Sequence, residues 1–480
     1  LSLHDALPIS WYEAITGEAQ IILGTRLAAL TPLPNLSAIV VDEEHDPSYK
    51  QQDGIRYSAR DLAIWRAHDL KIPIVLSSAT PSLETWMAAK VGRYQHLRLD
   101  QRAQGAALPK VHLINVRDSQ NQLSPGDKAK SANNICLSKP VLGAIQKSLD
   151  HKQQSLILIN RRGYAPVLTC NACTWLSKCH QCSSYMVMHK AGALGGRSVL
   201  SCHHCGLVKG IPSHCPDCGN ADLKTLGQGT QKLEDAIEEW WPSARVLRVD
   251  TDSSRKSKGA EELFQEIHEG NVDIVVGTQM IAKGHDYQYV SLVVVVDADG
   301  RLFSQDFRAA ERLFAQLVQV AGRAGRASKD GESSGDIYIE TQFPEAAVYQ
   351  YLLRHDIDGY LSHLAEEREE AKLPPFCFQA LVYAESKSLD KAIQFLNALK
   401  GHLKSSGHIN KGLRVYDPVP KAMMRVAGSE RAQLLVESDE RKNLQEILEV
   451  MDRYLRENSQ GRISKEGRIR WLIERDPIAI

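Results

Sequence analysis

The chain has 480 residues, of which 43% are hydrophobic and 24% charged, enough for two to four ordinary globular domains. Lys plus Arg equals Asp plus Glu at 58 each, so global charge does not advertise nucleic acid and any such surface must be a local patch. Apolar runs such as 292–296 are far too short to span a membrane.

The chain starts at Leu1, and the run 1–10 has no clear periodicity. Ala6-Leu7-Pro8-Ile9 resembles a translated sequencing adapter. Residues 1–16 are therefore expected to be a non-native head on a truncated gene fragment. After it, short β-branched runs alternate with helical patterns. Strands are predicted at 20–23, 37–41, 72–76, 155–160, 245–249, 273–276, 292–296 and 336–340. Short continuous apolar runs are the pattern of buried parallel strands. A helix over 308–320 carries Ala310, Leu313, Phe314, Leu317 and Val320 on one stripe. This alternation predicts an α/β architecture with parallel sheets. The polar stretch 118–134 reads as a solvated loop before a boundary between two lobes. Leu373-Pro374-Pro375 opens a last unit whose order, strand, helix, strand, strand, helix, strand, predicts a small ferredoxin-like α+β domain. The expected division is lobe 1 over 17–150, lobe 2 over 151–365 and a C-terminal domain over 366–480.

A cysteine block at 165–226 interrupts lobe 2. Eight of the ten cysteines form four Cys-x-x-Cys pairs there: Cys170/Cys173, Cys179/Cys182, Cys202/Cys205 and Cys215/Cys218. Each pair offers two thiolates from one tight turn, and two pairs close a tetrahedral zinc site. Four pairs predict two structural zinc ions. A redox motif or a disulfide framework fits four clustered pairs in a long chain less well. The linker 174–178 is tight for its flanking pairs to share an ion. A nested arrangement is expected, with Cys170, Cys173, Cys215 and Cys218 on one ion and Cys179, Cys182, Cys202 and Cys205 on the other. His180, His203, His204 and His214 read as neighbours of complete sites.

Asp42-Glu43-Glu44-His45 follows the strand 37–41 directly. Carboxylates at the C-terminal edge of a parallel strand are where nucleotide sites form. An Asp there can hold Mg²⁺ through water, and a Glu can polarise the attacking water. The same tetrad alone also fits a solvated loop. Ser78-Ala79-Thr80 follows the next strand. Its hydroxyls can couple that site to a second ligand or cap a helix. Gly277-Thr278-Gln279 follows a later strand, with Lys283-Gly284-His285 soon after. The run from Gln319 through Gly322 and Arg323 to Arg326 closes the amphipathic helix, and arginines beside glycine suit the contact of an arginine finger with a γ-phosphate.

Together with Gly24-Thr25-Arg26, these segments resemble superfamily 2 helicase motifs in the right order. The segment Asn160-Arg161-Arg162-Gly163-Tyr164-Ala165-Pro166, followed at once by the four cysteine pairs, is more specific. It resembles the PriA family of bacterial replication-restart helicases, from about residue 17 to 480. The resemblance implies two RecA-like lobes, the first incomplete here, and a two-zinc insert. It implies ATP and Mg²⁺ as cofactors and 3′→5′ unwinding of forked and single-stranded DNA at abandoned forks. It also implies primosome proteins, single-stranded-DNA-binding protein and the replicative helicase as partners, in the bacterial cytoplasm at the nucleoid. By match, Asp42, Glu43, Glu44, His45, Gln319, Arg323 and Arg326 would be catalytic. Gly277, Thr278, Gln279 and Gly322 would serve the nucleotide and its link to DNA. Gly24, Thr25, Arg26, Tyr49, Lys50, Arg56 and Tyr57 would meet DNA. Tyr49 to Tyr57 resembles the family's aromatic-rich loop, although Ile55 stands where a tryptophan is common.

No Gly-x-x-x-x-Gly-Lys-Ser/Thr phosphate cradle occurs in the 480 residues. The expectation is that these residues alone do not hydrolyse ATP, whereas the intact protein does. The alternatives are a non-hydrolytic zinc-containing scaffold for DNA and primosome proteins, and a RecQ-like repair helicase. The position of the cysteine block, inside the second lobe, argues against the latter.

Overall fold

The computed structural model describes residues 11–99, 108–120, 137–159, 167–170, 172–180, 185–189, 199–202, 207–225, 233, 237–249, 260–277, 289–304, 306–324, 335–407, 412–426, 429–459 and 469–478. The chain divides into two units, Leu1–His96 and Leu97–Ile480.

In the first unit, β1 (Ile39–Val41) and β2 (Ile74–Leu76) pair in parallel, Val40 opposite Val75. Helix α1 (Ala59–Leu70) starts at Ser58, whose hydroxyl accepts from Asp61 N, and ends at Lys71 in the left-handed region. Its buried face is Ala59, Ala63 and Ala67, one small residue per turn, which lets neighbouring backbone approach closely. Helix α2 (Leu83–Lys90) is capped by Ser82, whose hydroxyl accepts from Thr85 N. The run 20–23, predicted as a strand, is not one. Ile21 and Leu23 are exposed there, and a parallel strand forms only with a partner to take its hydrogen bonds.

The second unit is built on a six-stranded parallel sheet. Its strands are β3 (Lys110–Asn115), β4 (Gln154–Ile159), β10 (Val246–Val249), β11 (Ile274–Gly277), β12 (Val290–Val296) and β13 (Asp336–Thr341), in the order β10-β11-β4-β12-β13-β3. Every residue of central β4 and β11 is buried, as strands covered on both faces must be. Helix α3 (Lys139–Asp150) packs Val141, Leu142 and Ile145 against Ile157, Val276 and Val294. The expected boundary at 150/151 is corrected here. Lys110 to Asn115 pair in register with Asp336 to Thr341, so β3 and α3 belong to the second sheet. Strand β3 has the apolar period of either lobe, and only the partner at its edge decides. Helix α4 (Ala260–His268) follows β10, and α5 (Ala309–Ala321) buries Leu313, Phe314, Leu317 and Val320. Then come α6 (Ala347–Leu353) and α7 (Ile357–Glu370).

Among the described residues between β4 and β10 are five short strands, β5 (Leu168–Cys170), β6 (Val187–His189), β7 (Val199–Ser201), β8 (Val208–Gly210) and β9 (Leu223–Thr225). β5 pairs antiparallel with β9, and β6-β7-β8 form a separate meander.

The last part is the predicted ferredoxin-like order. Strands β14 (Phe378–Ser386), β15 (Leu413–Val415), β17 (Ser429–Ser438) and β18 (Arg470–Arg475) form an antiparallel sheet β15-β17-β14-β18. Helices α8 (Leu389–Ser405) and α9 (Arg441–Ser459) bury Leu396, Leu399, Leu444 and Met451 against Val382, Leu434 and Val436. The sequence reading missed β16 (Val419–Val426). It pairs with β17 beyond β15 on the same strand, so one edge strand is split in two.

Candidate functional site

The acidic tetrad leaves β1 in a turn that holds Glu43 at φ +48, in the left-handed region. Asp42 stays exposed, and its Oδ1 accepts from Ser77 Oγ at 2.5 Å and from Glu43 N at 3.0 Å. Ser77 follows β2, so the neighbouring strand orients the carboxylate. His45 Nδ1 lies 2.7 Å from Ser78 Oγ, which also accepts from Thr80 N at 3.0 Å. Glu43 Oε2 lies 3.5 Å from His45 Nδ1. The two motifs, far apart in sequence, thus share one hydrogen-bond chain at adjacent strand ends.

Glu44 plays a different part from its neighbours. It is 1% exposed, and its carboxylate accepts from Ser82 N at 2.6 Å, Thr85 Oγ1 at 3.0 Å and Arg60 Nη1 at 3.0 Å. It caps the N-terminus of α2, where the helix dipole favours an anion. Burial alone would lower the Arg60 pKa, but Asp61, Glu44 and Glu84 together raise it. Glu44 is therefore an anchor for the loop, not a group presented to a ligand.

The residues expected to meet DNA fall partly together. Arg26 Nη1 donates to Lys50 O at 3.4 Å, which joins Gly24-Thr25-Arg26 to the following loop. A Cβ on Gly24 would lie 2.9 Å from Ala28 Cβ, so only glycine fits. Tyr49 OH donates to Asp42 O at 2.6 Å, which ties the loop to the acidic motif. Burial, then Asp42, raises the Tyr49 pKa, so the phenol stays protonated. Lys50 pairs with Ser58, and Gln51 N donates to Tyr57 O at 2.9 Å, closing the loop. Ile55 is 82% exposed near Arg56 and Tyr57.

In the second unit, Gly277 ends β11, while Thr278 and Gln279 lie outside the described residues. Gln319 sits in the last turn of α5, Gly322 caps it, and Arg323 follows. Arg326, residues 160–166 and 283–285 also lie outside the described residues.

The cysteine block brings one expected ligand set together. The Sγ atoms of Cys170, Cys173, Cys215 and Cys218 all lie within 4.8 Å of one another, with Cys170 to Cys218 at 3.6 Å and Cys173 to Cys215 at 3.5 Å. Tetrahedral thiolates around zinc stand about 3.8 Å apart, given Zn–S bonds near 2.3 Å. The β5/β9 pairing makes this possible, since it sets Cys170 beside Leu223. The backbone N–H groups of Cys173 and Ala172, together with the thiols of Cys218 and Cys215, lower the Cys170 pKa to about 7 against the effect of burial. Cys179 and Cys202 are buried in one cluster with Met186 and Leu200. Cys182 and Cys205 lie outside the described residues.

Sequence reasoning missed Asp299. Asp297 follows β12 as Asp42 follows β1, and Asp299 comes just after it at the start of a short helix, within reach of the same strand-end logic. The Asp299 carboxylate is 4% exposed and accepts from Gln342 N at 2.7 Å, Thr341 Oγ1 at 2.5 Å and Tyr349 OH at 3.0 Å. Burial raises its pKa against those bonds.

With this geometry in view, the relatives are informative. The chain is 38% identical over 467 residues to the replication restart protein PriA of Haemophilus influenzae, covering 97% of this chain and 60% of that protein. The chain belongs to the PriA family. It is 34% identical to PriA of Rickettsia felis, covering 92% of this chain and 66% of that protein. It is 32% identical to PriA of Bacillus subtilis, covering 94% and 54%. The chain thus spans about three-fifths of the length of these PriA relatives. Residues 226–328 match the helicase conserved C-terminal domain, and residues 369–478 match the primosomal protein N C-terminal domain. A structure of RecG bound to a three-way DNA junction aligns at 14% identity with a TM-score of 0.38, over 78% of this chain and 35% of that one. No helix among the described residues is long and apolar enough to cross a membrane.

Proposed function

We propose that the complete protein is an ATP-driven helicase that recognises abandoned replication forks, unwinds DNA 3′→5′ and promotes reloading of the replicative helicase. The observation that carries this reading is the exposed Asp42 carboxylate, held at a parallel strand end by Ser77 beside the His45–Ser78 bridge. Hard oxygen donors at a strand end suit Mg²⁺, which supplies charge neutralisation on the nucleotide phosphates when bound. In this reading Asp42 holds that ion through water, and Glu43 orients the attacking water. His45 and Ser78 report the state of the nucleotide site. Gln319, Gly322, Arg323 and Arg326 serve the γ-phosphate, and Gly277, Thr278 and Gln279 link DNA to nucleotide. Gly24, Thr25, Arg26, Tyr49, Lys50, Arg56 and Tyr57 meet the DNA strand, where each stacked aromatic is worth about 1–3 kcal/mol. Cys170, Cys173, Cys215 and Cys218 hold one structural zinc, and Cys179, Cys182, Cys202 and Cys205 a second. Primosome proteins and single-stranded-DNA-binding protein are the proposed partners, in the cytoplasm at the nucleoid.

The phosphate cradle is not among the 480 residues. We therefore assign hydrolysis to the complete protein, and background turnover to these residues alone. The test is unwinding of forks with a single 3′ or 5′ tail by the complete protein. ATP-dependent opening of the 3′-tailed fork alone is expected. Tight fork binding with no hydrolysis by the complete protein would establish the scaffold reading instead.

A further inference from the structure

Helix α5 is held at the end opposite Arg323 by the segment that follows β18. Arg308 Nη1 donates to Pro477 O at 3.1 Å, and Arg312 Nη2 donates to Ile478 O at 2.5 Å. Arg312 Nη1 also donates to Asp306, which is 7% exposed and caps the turn before the helix through Arg308 N at 3.0 Å. Segment 476–478 takes its place from the C-terminal sheet. Strand β18 pairs with β14, and Asp476 N extends that ladder to Gln379 O at 2.9 Å. Next to it, the buried Arg368 of α7 donates to Glu311 of α5, and its guanidinium stands 5.0 Å from the Phe307 ring that Arg308 also covers at 4.5 Å.

These contacts share a direction. Apart from the local bond to Asp306, each grips the start of α5 from α7 or from the segment after β18. Guanidinium donors to carbonyl oxygens are charge-assisted and directional, so they fix position as well as proximity. Helix α5 has 13 residues and is about 20 Å long. A hydrogen-bonded helix of that length moves as a rod, so displacing its first turn displaces Gln319, Gly322 and Arg323.

We propose that segment 476–478 is a strut through which the C-terminal domain sets the position of the helix bearing Arg323. Arg308 and Arg312 are its positioning residues. The proposal rests on the reading of Arg323 as a phosphate-contacting group, and it extends that reading to a domain with no motif of its own.

The test uses the complete protein and four variants: Arg312→Ala, Arg312→Lys, a chain ending at Asp476, and that shortened chain with Arg312→Ala. Hydrogen exchange is followed in peptides covering 309–324, beside DNA-stimulated ATPase kcat and KM. Losing a charge-assisted bond is worth roughly tenfold. Arg312→Ala is expected to speed exchange in 309–321 and to lower kcat about tenfold, with KM for ATP within about twofold. Arg312→Lys should restore most of both, because an ammonium still reaches a carbonyl. In the shortened chain Arg312→Ala should add clearly less than it does in the full-length chain, since the bond to Ile478 is gone and only the one to Asp306 is left to lose. Unchanged exchange in Arg312→Ala and in the shortened chain, or fully additive effects, overturns the strut. Faster exchange with unchanged kcat overturns the positioning role, and the fault then lies with the reading of Arg323. If the unaltered protein has no ATPase, the functional reading has failed and exchange alone decides the strut.

Discussion

His45 Nδ1 and Ser78 Oγ lie 2.7 Å apart across the ends of two neighbouring parallel strands. Ser78 also receives Thr80 N, so a change of proton or partner at His45 reaches the backbone of the second motif without crossing a flexible segment.

Removing that hydroxyl tests the link. In the complete protein Ser78→Ala should cut the stimulation of ATPase by single-stranded DNA about tenfold, the value of one hydrogen bond near 1.4 kcal/mol. Basal ATPase and DNA affinity should stay within about twofold. Equal loss of basal and stimulated rates would mean that Ser78 serves folding and not communication.

The two adjacent glutamates should separate cleanly. Glu44→Ala takes the buried carboxylate from Arg60, Ser82 and Thr85 and leaves Arg60 its exposed partner Asp61, a loss that costs about 1–3 kcal/mol. Thermal melting of the chain should fall by several degrees. Glu43→Gln should leave the melting temperature unchanged and abolish hydrolysis by the complete protein. A stable Glu44→Ala protein would remove the anchoring role.

Metal content is the simplest measurement on the cysteine block. Elemental analysis should return two zinc ions per chain. Cys173→Ser should return one, and melting of the block should drop, because a structural site contributes about 10–16 kcal/mol. One zinc in the unaltered protein would end the two-site reading.

Asp299 supplies a pH signature. Burial raises its pKa above the ordinary value near 3.8, so the folded protein holds that proton longer than the unfolded chain does. Its contribution to stability is therefore complete below pH 3.8 and falls as pH rises through the folded pKa. Asp299→Asn should flatten that fall of the urea midpoint as pH rises above 3.8. An unchanged slope would mean that Asp299 ionises freely.

The parallel strands of the large sheet were legible because strands buried on both faces carry a continuous apolar run, as in 156–159 and 292–296. The cysteine pairs were legible because chelation needs a fixed short spacing. Ownership was not legible. Lys110 to Asn115 reads the same whichever sheet it joins, and its place comes from Asp336 to Thr341, more than two hundred residues later. Nor was the division of labour within Asp42-Glu43-Glu44-His45. Four polar residues in a row carry no period, and only the turn at Glu43 sends Glu44 inward to Arg60 while leaving Asp42 outside. The contacts of Arg308 and Arg312 with 477–478 were invisible because their acceptors there are backbone carbonyls, which every residue has.

The pairing of Leu168 with Thr225 gives the cysteine block a narrow neck. Beyond those two touching strands, the block meets the large unit at Tyr185, whose ring stands edge-on to Phe303 at 5.5 Å beside Phe343, so it is a bead with a knot and a side contact. The entropy of a longer slack loop grows only with the logarithm of its length. Such a bead can be exchanged, resized or remodelled between relatives while the sheet that carries it keeps its geometry.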